Sequence, residues 1–310
     1  MAAFDPQTAR AGLALTGARG VTREMLSAQP RKDVIRNTIF ASVLFLAIAL
    51  ALAGLCLLIG KNLVDGWSRL NLDLITENNS SNAADAGLRN GIIGTLWIMF
   101  FVMLMLVPIG VGAAIFLEEY ADRNSRLTRM FEVNIQNLAG VPSIIYGLLG
   151  LEFIARAPLN LGYVVLTASM TLTLLVLPVV ILAAREAIRA VPDSIREGSL
   201  ALGATKWQTI RRQVLPASIP GIATGIILAL SRAIGETAPL IPLGAATFLT
   251  FTPGPFTDFT AMPVTIFNWV KQPQPEFQTL AAAGVLLLIA LLVLMNSFAI
   301  WLRNRYEQTW

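Results

Sequence analysis

The chain has 310 residues, of which 55% are hydrophobic and 14% charged, with a mean hydropathy of +0.66 and a formal net charge of +4. Soluble domains carry charge on about a quarter of their residues, and here the apolar residues fall in long runs, so the composition excludes an ordinary soluble domain and predicts a polytopic membrane protein. The sequence has no histidine and a single cysteine, Cys56. That removes the usual general base, any intrachain disulfide and a cysteine metal cluster, so no catalytic residue, metal or cofactor is expected.

In chain order, residues 1–37 form a polar leader with Arg10, Arg19, Arg23, Arg31, Lys32 and Arg36. The first apolar run starts near Ile39, later than in a cleaved signal, and predicts an uncleaved anchor over 38–61. An Asn- and Ser-rich loop over 62–89 reads as a solvated connector. Residues 90–302 read as a five-helix core, and 303–310 as a tail. Six spans are placed at 39–60, 90–117, 135–154, 161–184, 214–246 and 280–302. Each supplies close to the 20 residues that a hydrocarbon layer of about 30 Å needs, and the fold class is all-α. Glycines and Pro142 break the pattern of the third span, as bundle interiors allow.

Of the 23 Lys and Arg residues, only Lys61, Arg69, Arg89, Arg156 and Lys271 fall in one alternate set of loops, and Arg232 falls inside a span. The rest lie on the side of the leader, which places both termini in the cytoplasm. The basic residues are topological and form no basic–aromatic surface, so nucleic acid is not an expected partner. Outside, residues 250–277 combine prolines with aromatics, as either a packed lateral helix or a docking surface. Glu118, Glu119 and Asp122 read as solvated, Glu152 and Arg156 as an interfacial pair, and Trp301 and Trp310 as belt residues.

Between spans four and five, the segment 192–212 reads VPDSIREGSLALGATKWQTIRRQVLP with its flanks. Ser194 and Glu197 have capping-box spacing, Gly203 is a helix stop, and Thr205 with Gln208 makes a second box. The pattern predicts a short helix, a turn, and a helix leading into the membrane. Lys206, Trp207, Arg211 and Arg212 suit either a segment resting on headgroups or one that meets a partner.

Span five contains Arg232 and Glu236. At about 100° per residue, Gly221, Gly225, Leu228 and Glu236 lie within about 40° of Arg232 on one helical face. An arginine at the centre of a bilayer is unfavourable by at least about 2.5 kcal/mol, so this face should meet a partner helix or a watery path. The two charges are spaced to form a static ion pair or to handle an ion in passage. Arg185, at the cytoplasmic end of span four, reads as an exit contact or as a boundary anchor.

Glu197-Gly198-Ser199, Gly203 and Leu215-Pro216 sit at the spacing of the EAA loop of ABC-type import permeases, which this segment resembles. Gly198 and Ser199 replace the usual alanines and Gln213 an aliphatic residue. SRAIGETAP at 231–239, GVPSIIYGL at 140–148 and PVTIFNW at 263–269 further resemble the phosphate-specific ABC permeases, in their PstA-type subunit. The resemblance covers roughly residues 90–302 and implies the type I ABC importer permease fold. It implies that Glu197, Gly198, Ser199, Gly203, Ala204 and Lys206 couple to an ATPase, and that Arg232, Glu236 and Arg185 line the path of inorganic phosphate. It also implies a PstC-type sister permease, a PstB-type ATPase dimer and a PstS-type phosphate-binding protein as partners, in the bacterial plasma membrane.

The chain has no GxxxxGK[ST] of its own, so ATP hydrolysis would be a partner's. A guanidinium fork matches two phosphate oxygens. Near neutral pH phosphate keeps a hydroxyl that sulfate lacks, and Glu236 is suited to accept from it. Other readings remain: an importer of another oxyanion such as sulfate or molybdate, a secondary transporter or channel, or a membrane sensor. The second would carry inverted repeats, which the sequence lacks.

Overall fold

The computed structural model describes residues 31–122, 124–245, 249 and 251–306. Leader residues 1–30 and Trp310, each given a place above, lie outside them. The chain divides into two units, Met1–Lys61 and Asn62–Trp310. Over its described residues the first unit is helical, the greater part of α1 (Arg31–Gly66), and its apolar side chains are exposed, as suits a helix sheathed in lipid.

In the second unit the main helices are α2 (Arg89–Ile115), α3 (Arg126–Ala139), α4 (Ser143–Leu149), α5 (Val165–Arg189), α6 (Asp193–Ala201), α7 (Lys206–Thr209), α8 (Leu215–Gly235), α9 (Met262–Val270) and α10 (Pro275–Tyr306). Three π turns extend them: Phe116–Tyr120 after α2, Gly150–Ala155 after α4, and Ile210–Val214 joining α7 to α8. Among the described residues the only β pairing is an isolated bridge between Val164 and Asp258.

α5 is the axis of this unit. Of its most apolar window 67% is buried, against 28% for α2 and 28% for the α7–α8 run, which leaves the latter two with an exposed apolar side. Val102 and Leu106 of α2, Leu172 and Val176 of α5, and Ala229 and Ala233 of α8 meet in one core. Small residues let α8 approach α5, where Gly221 faces Ala187 and Gly225 faces Ala183.

Among the described residues five helices are long and apolar enough to cross a membrane, and a sixth crossing is made if α3 and the α4 run count as one bent span. The expected third span over 135–154 is not a straight rod: α3 and the α4 run meet at 105°. Gly140 closes α3, and Pro142 has no N–H to continue its ladder. Tyr146 Oη then donates to the Leu138 carbonyl at 2.7 Å across the bend. The fifth span also ends early, at Gly235 and not near 246, because Glu236 is already extended and Pro239 and Pro242 follow.

The connector over 62–89 is more than a solvated loop. Leu74, Ala86 and Leu88 are buried with Met262, Ile266, Trp269 and Phe277, and Trp269 Nε1 donates to Asn79 Oδ1 at 2.8 Å. The proline-rich stretch takes the packed form: Met262–Ile266 of α9 are buried, and Met262 N donates to Thr95 Oγ1 of α2 at 3.0 Å.

Candidate functional site

Arg232 lies in the last turn of α8, where the carbonyl end of the helix favours a cation, and Glu236 follows as the residue that leaves the helix. The anticipated stripe therefore ends as a helix terminus and not mid-helix. It also divides: Gly221 and Gly225 pack on α5, whereas the Leu228 side is 63% exposed. The Arg232 side chain is 44% exposed and that of Glu236 20%, with Nε and Oε2 3.9 Å apart. That separation is too long for a hydrogen bond, and among the described residues no hydrogen bond holds the Arg232 guanidinium. The two charges thus form a loose ion pair with no hydrogen bond between them. The five donors of the guanidinium remain available to an anion.

Two of the resembling motifs meet beside this pair. Gly147 of α4 lies on Pro239, so that a Cβ there would come within 2.5 Å of the Pro239 carbonyl oxygen. Tyr146 joins Ala233, Ile234 and Leu240 in the core, within electrostatic reach of Arg232. Two polar contacts fix α8 against α10: Ser231 Oγ donates to Asn296 Oδ1 at 2.6 Å, and Arg303 Nη1 donates to Thr224 Oγ1 at 2.9 Å. Asn296 was not anticipated, and a lone amide within the apolar run 280–302 was the available signal.

Arg185 is 6% exposed and holds Glu132 at 2.7 Å and Glu118 at 3.5 Å. Arg189 Nη2 bonds the same Glu118 at 3.0 Å. Glu118 and Glu119 are therefore not solvated; their side chains are 1% and 9% exposed, and Glu119 accepts from Arg196 at 3.1 Å. Desolvating a carboxylate is tolerable only with such partners. Glu152 and Arg156 form the expected exposed pair at 2.7 Å. The Arg156 guanidinium is raised above its ordinary pKa by a hydrogen bond with Tyr163 first, and then by the Glu152 charge.

The segment 192–212 forms the helix, turn and helix that its spacing predicts. Gly203 takes φ +86°, its N–H bonding the Leu200 carbonyl while that of Ala204 bonds the Ser199 carbonyl, a helix stop open to glycine without strain. Thr205 and Gln208 complete their capping box. The box anticipated at Ser194 and Glu197 does not form: α6 starts at Asp193 behind Pro192, so Ser194 is already inside the first turn. Ser199 makes an unforeseen contact, its Oγ lying 2.9 Å from Thr209 Oγ1 across the turn. No residue of α6 is buried. Glu197, Gly198, Leu200, Leu202, Lys206 and Trp207 all face outward, with Leu202 90% exposed.

Residues 106–308 match the family described as binding-protein-dependent transport system inner membrane component. The chain is 34% identical over 282 residues to the phosphate transport system permease protein PstA of Yersinia pestis, covering 89% of this chain and 93% of that protein. It is 33% identical to the probable ABC transporter permease protein YqgI of Bacillus subtilis over 77% of this chain and 85% of the relative. Its fold is similar to that of a bacterial ABC transporter involved in the import of alginate, with a TM-score of 0.59 at 14% identity over 89% of this chain and 99% of that one. It is also similar to the MetNI methionine ABC transporter in an inward-facing form, with a TM-score of 0.57 at 19% identity over 72% and 95%. The fold is that of type I ABC importer permeases, and the chain belongs to the multi-pass family of binding-protein-dependent transport system inner membrane components.

Proposed function

We propose that this chain is the PstA-type permease subunit of an ATP-driven phosphate importer, passing inorganic phosphate across the plasma membrane by alternating access, with both termini in the cytoplasm. The observation that carries this reading is Arg232: a half-exposed guanidinium at the end of an apolar helix, free of hydrogen bonds among the described residues and 3.9 Å from a carboxylate. Phosphate as cargo is supported by what the relatives of 29–34% identity are called. One guanidinium holds an anion in transit weakly, so capture belongs to an external phosphate-binding protein of PstS type.

The exposed face of α6 and its turn, with Glu197, Gly198, Gly203 and Lys206, suits a groove on a PstB-type ATPase, and a PstC-type sister chain supplies the other half of the path. Ser199 and Ala204 serve the same segment by holding the turn in shape. Arg185 we assign to the framework and not to the path. Phosphate uptake by Arg232→Ala and Arg232→Lys, with assembly checked in parallel, tests the reading. Loss in both supports two-point recognition of the anion by the guanidinium; full uptake in the alanine variant overturns the role of Arg232.

A further inference from the structure

The π turn Phe116–Tyr120 at the end of α2 stands where three other elements converge, and its three last residues each hold a different one. Glu118 receives Arg185 and Arg189 at the end of α5. Glu119 receives Arg196 of α6. The ring of Tyr120 lies under Lys206 of α7, with Nζ 5.0 Å from its centroid. Consecutive residues on a helix point in different directions, about 100° apart in an α-helix, so one short turn can reach several neighbours. A π insertion is the local departure that frees such a turn from the α register, and it recurs at functional sites.

Arg196 is the strongest of these ties. Its guanidinium bonds Glu119 Oε1 at 3.1 Å, the Val191 carbonyl at 2.5 Å, the Ile188 carbonyl at 2.8 Å and Asp193 Oδ1 at 3.1 Å. One side chain thus fastens α6 to the Ile188 carbonyl at the end of α5, to the Val191 carbonyl just beyond it, and to the turn that follows α2. The Arg196 and Glu119 side chains are 17% and 9% exposed, so the pair is largely shielded from water and salt. Lys206 and Tyr120 are exposed and add a weaker contact on the far side of the Gly203 turn.

We propose that Glu119 and Tyr120 are the points through which motion of the 192–212 segment enters α2, beside the direct route from α7 through the Ile210–Val214 turn into α8. This rests on the ATPase-coupled reading of that segment. A push on α6 then displaces α2 and α8 together, since α6 is tied to the first by Arg196 and α7 is continuous with the second. Glu119, Tyr120 and Arg196 are positioning residues: they touch no substrate and act through the helices they join.

The test uses the complete transporter in liposomes, with ATP hydrolysis and phosphate accumulation followed together for wild type, Glu119→Gln, Glu119→Ala and Arg196→Ala. The variants are expected to hydrolyse ATP at near wild-type rate while uptake falls about tenfold, because the interaction lost lies between elements and not in the ATPase. Glu119→Gln keeps the size of the side chain and covers the case in which the alanine variants assemble poorly. In a Cys56→Ser background, Glu119→Cys with Arg196→Cys should lose uptake likewise, and a short thiol-to-thiol linker should restore it. An unchanged ratio of ATP hydrolysed to phosphate moved in all three variants, or a linker that blocks uptake, overturns the proposal. Wild type separates the claims: hydrolysis there without phosphate uptake counts against the cargo, whereas a difference between wild type and variants concerns the turn alone.

Discussion

Arg232 Nε stands 3.9 Å from Glu236 Oε2 across the end of α8, close enough for each charge to feel the other and too far for a hydrogen bond to join them. An anion docking on this pair would meet a donor fork at one residue and an acceptor at the other. A monoprotonated phosphate satisfies both, whereas sulfate leaves the carboxylate facing a bare oxyanion.

Glu236→Gln is accordingly expected to narrow the preference for phosphate over sulfate by about tenfold, roughly 1.4 kcal/mol. Competition uptake with the two anions measures it. Normal phosphate uptake with no gain of sulfate uptake would show that the carboxylate does not discriminate.

Gly147→Ala places a methyl group 2.5 Å from the Pro239 carbonyl oxygen and 2.7 Å from its Cα, and both neighbours are backbone. The expected loss is about 1–3 kcal/mol of stability. A lower melting temperature of the purified complex and reduced uptake should appear together, because the displaced segment follows directly on Glu236.

The two glycines of the 192–212 segment, Gly198 and Gly203, should respond in opposite directions to alanine. Gly198 is inside α6 with open space around it, and Gly198→Ala should stabilise that helix by about 0.8–1 kcal/mol. Gly203 has the same open space but φ +86°, and Gly203→Ala should destabilise the turn by about 1–2 kcal/mol. Thermal unfolding of the two variants checks the difference in sign.

Glu118→Ala removes the carboxylate shared by Arg185 and Arg189, and Arg185 remains 6% exposed with Glu132 as its other acidic partner. Breaking a buried pair from one side is unfavourable by about 3–5 kcal/mol. The yield of assembled complex should fall sharply, whereas Glu132→Ala, at the 32% exposed partner, should be milder.

What could be read from the sequence was what depends on near neighbours. The Thr205–Gln208 box, the Gly203 stop and the Glu152–Arg156 pair each involve residues three or four apart, or one residue and its own φ, and each is found as expected. The apolar runs placed the long helices for the same reason. Glu118 and Arg189 are 71 positions apart, and no local pattern distinguishes a glutamate destined for such a partner from one facing water. The bend of the third span and the early end of the fifth have a legible cause, since Pro142 and Pro239 each remove an N–H from the helical ladder; the first break shows in the sequence, and apolar residues running on past Pro239 hid the second.

The ties between α8 and α10 have a geometric consequence. Thr224 and Ser231 are seven residues apart, as are Asn296 and Arg303, and the pairs run in opposite order along the chain. Two matched rungs, about 10 Å from one another, make the helices an antiparallel ladder that cannot slide by one turn without breaking both. The guanidinium at position 232, one residue past the upper rung, is therefore indexed to the last helix as firmly as to its own. A truncation ahead of Asn296 would remove both rungs and so release the Arg232 guanidinium from its register by a change 64 residues further along the chain.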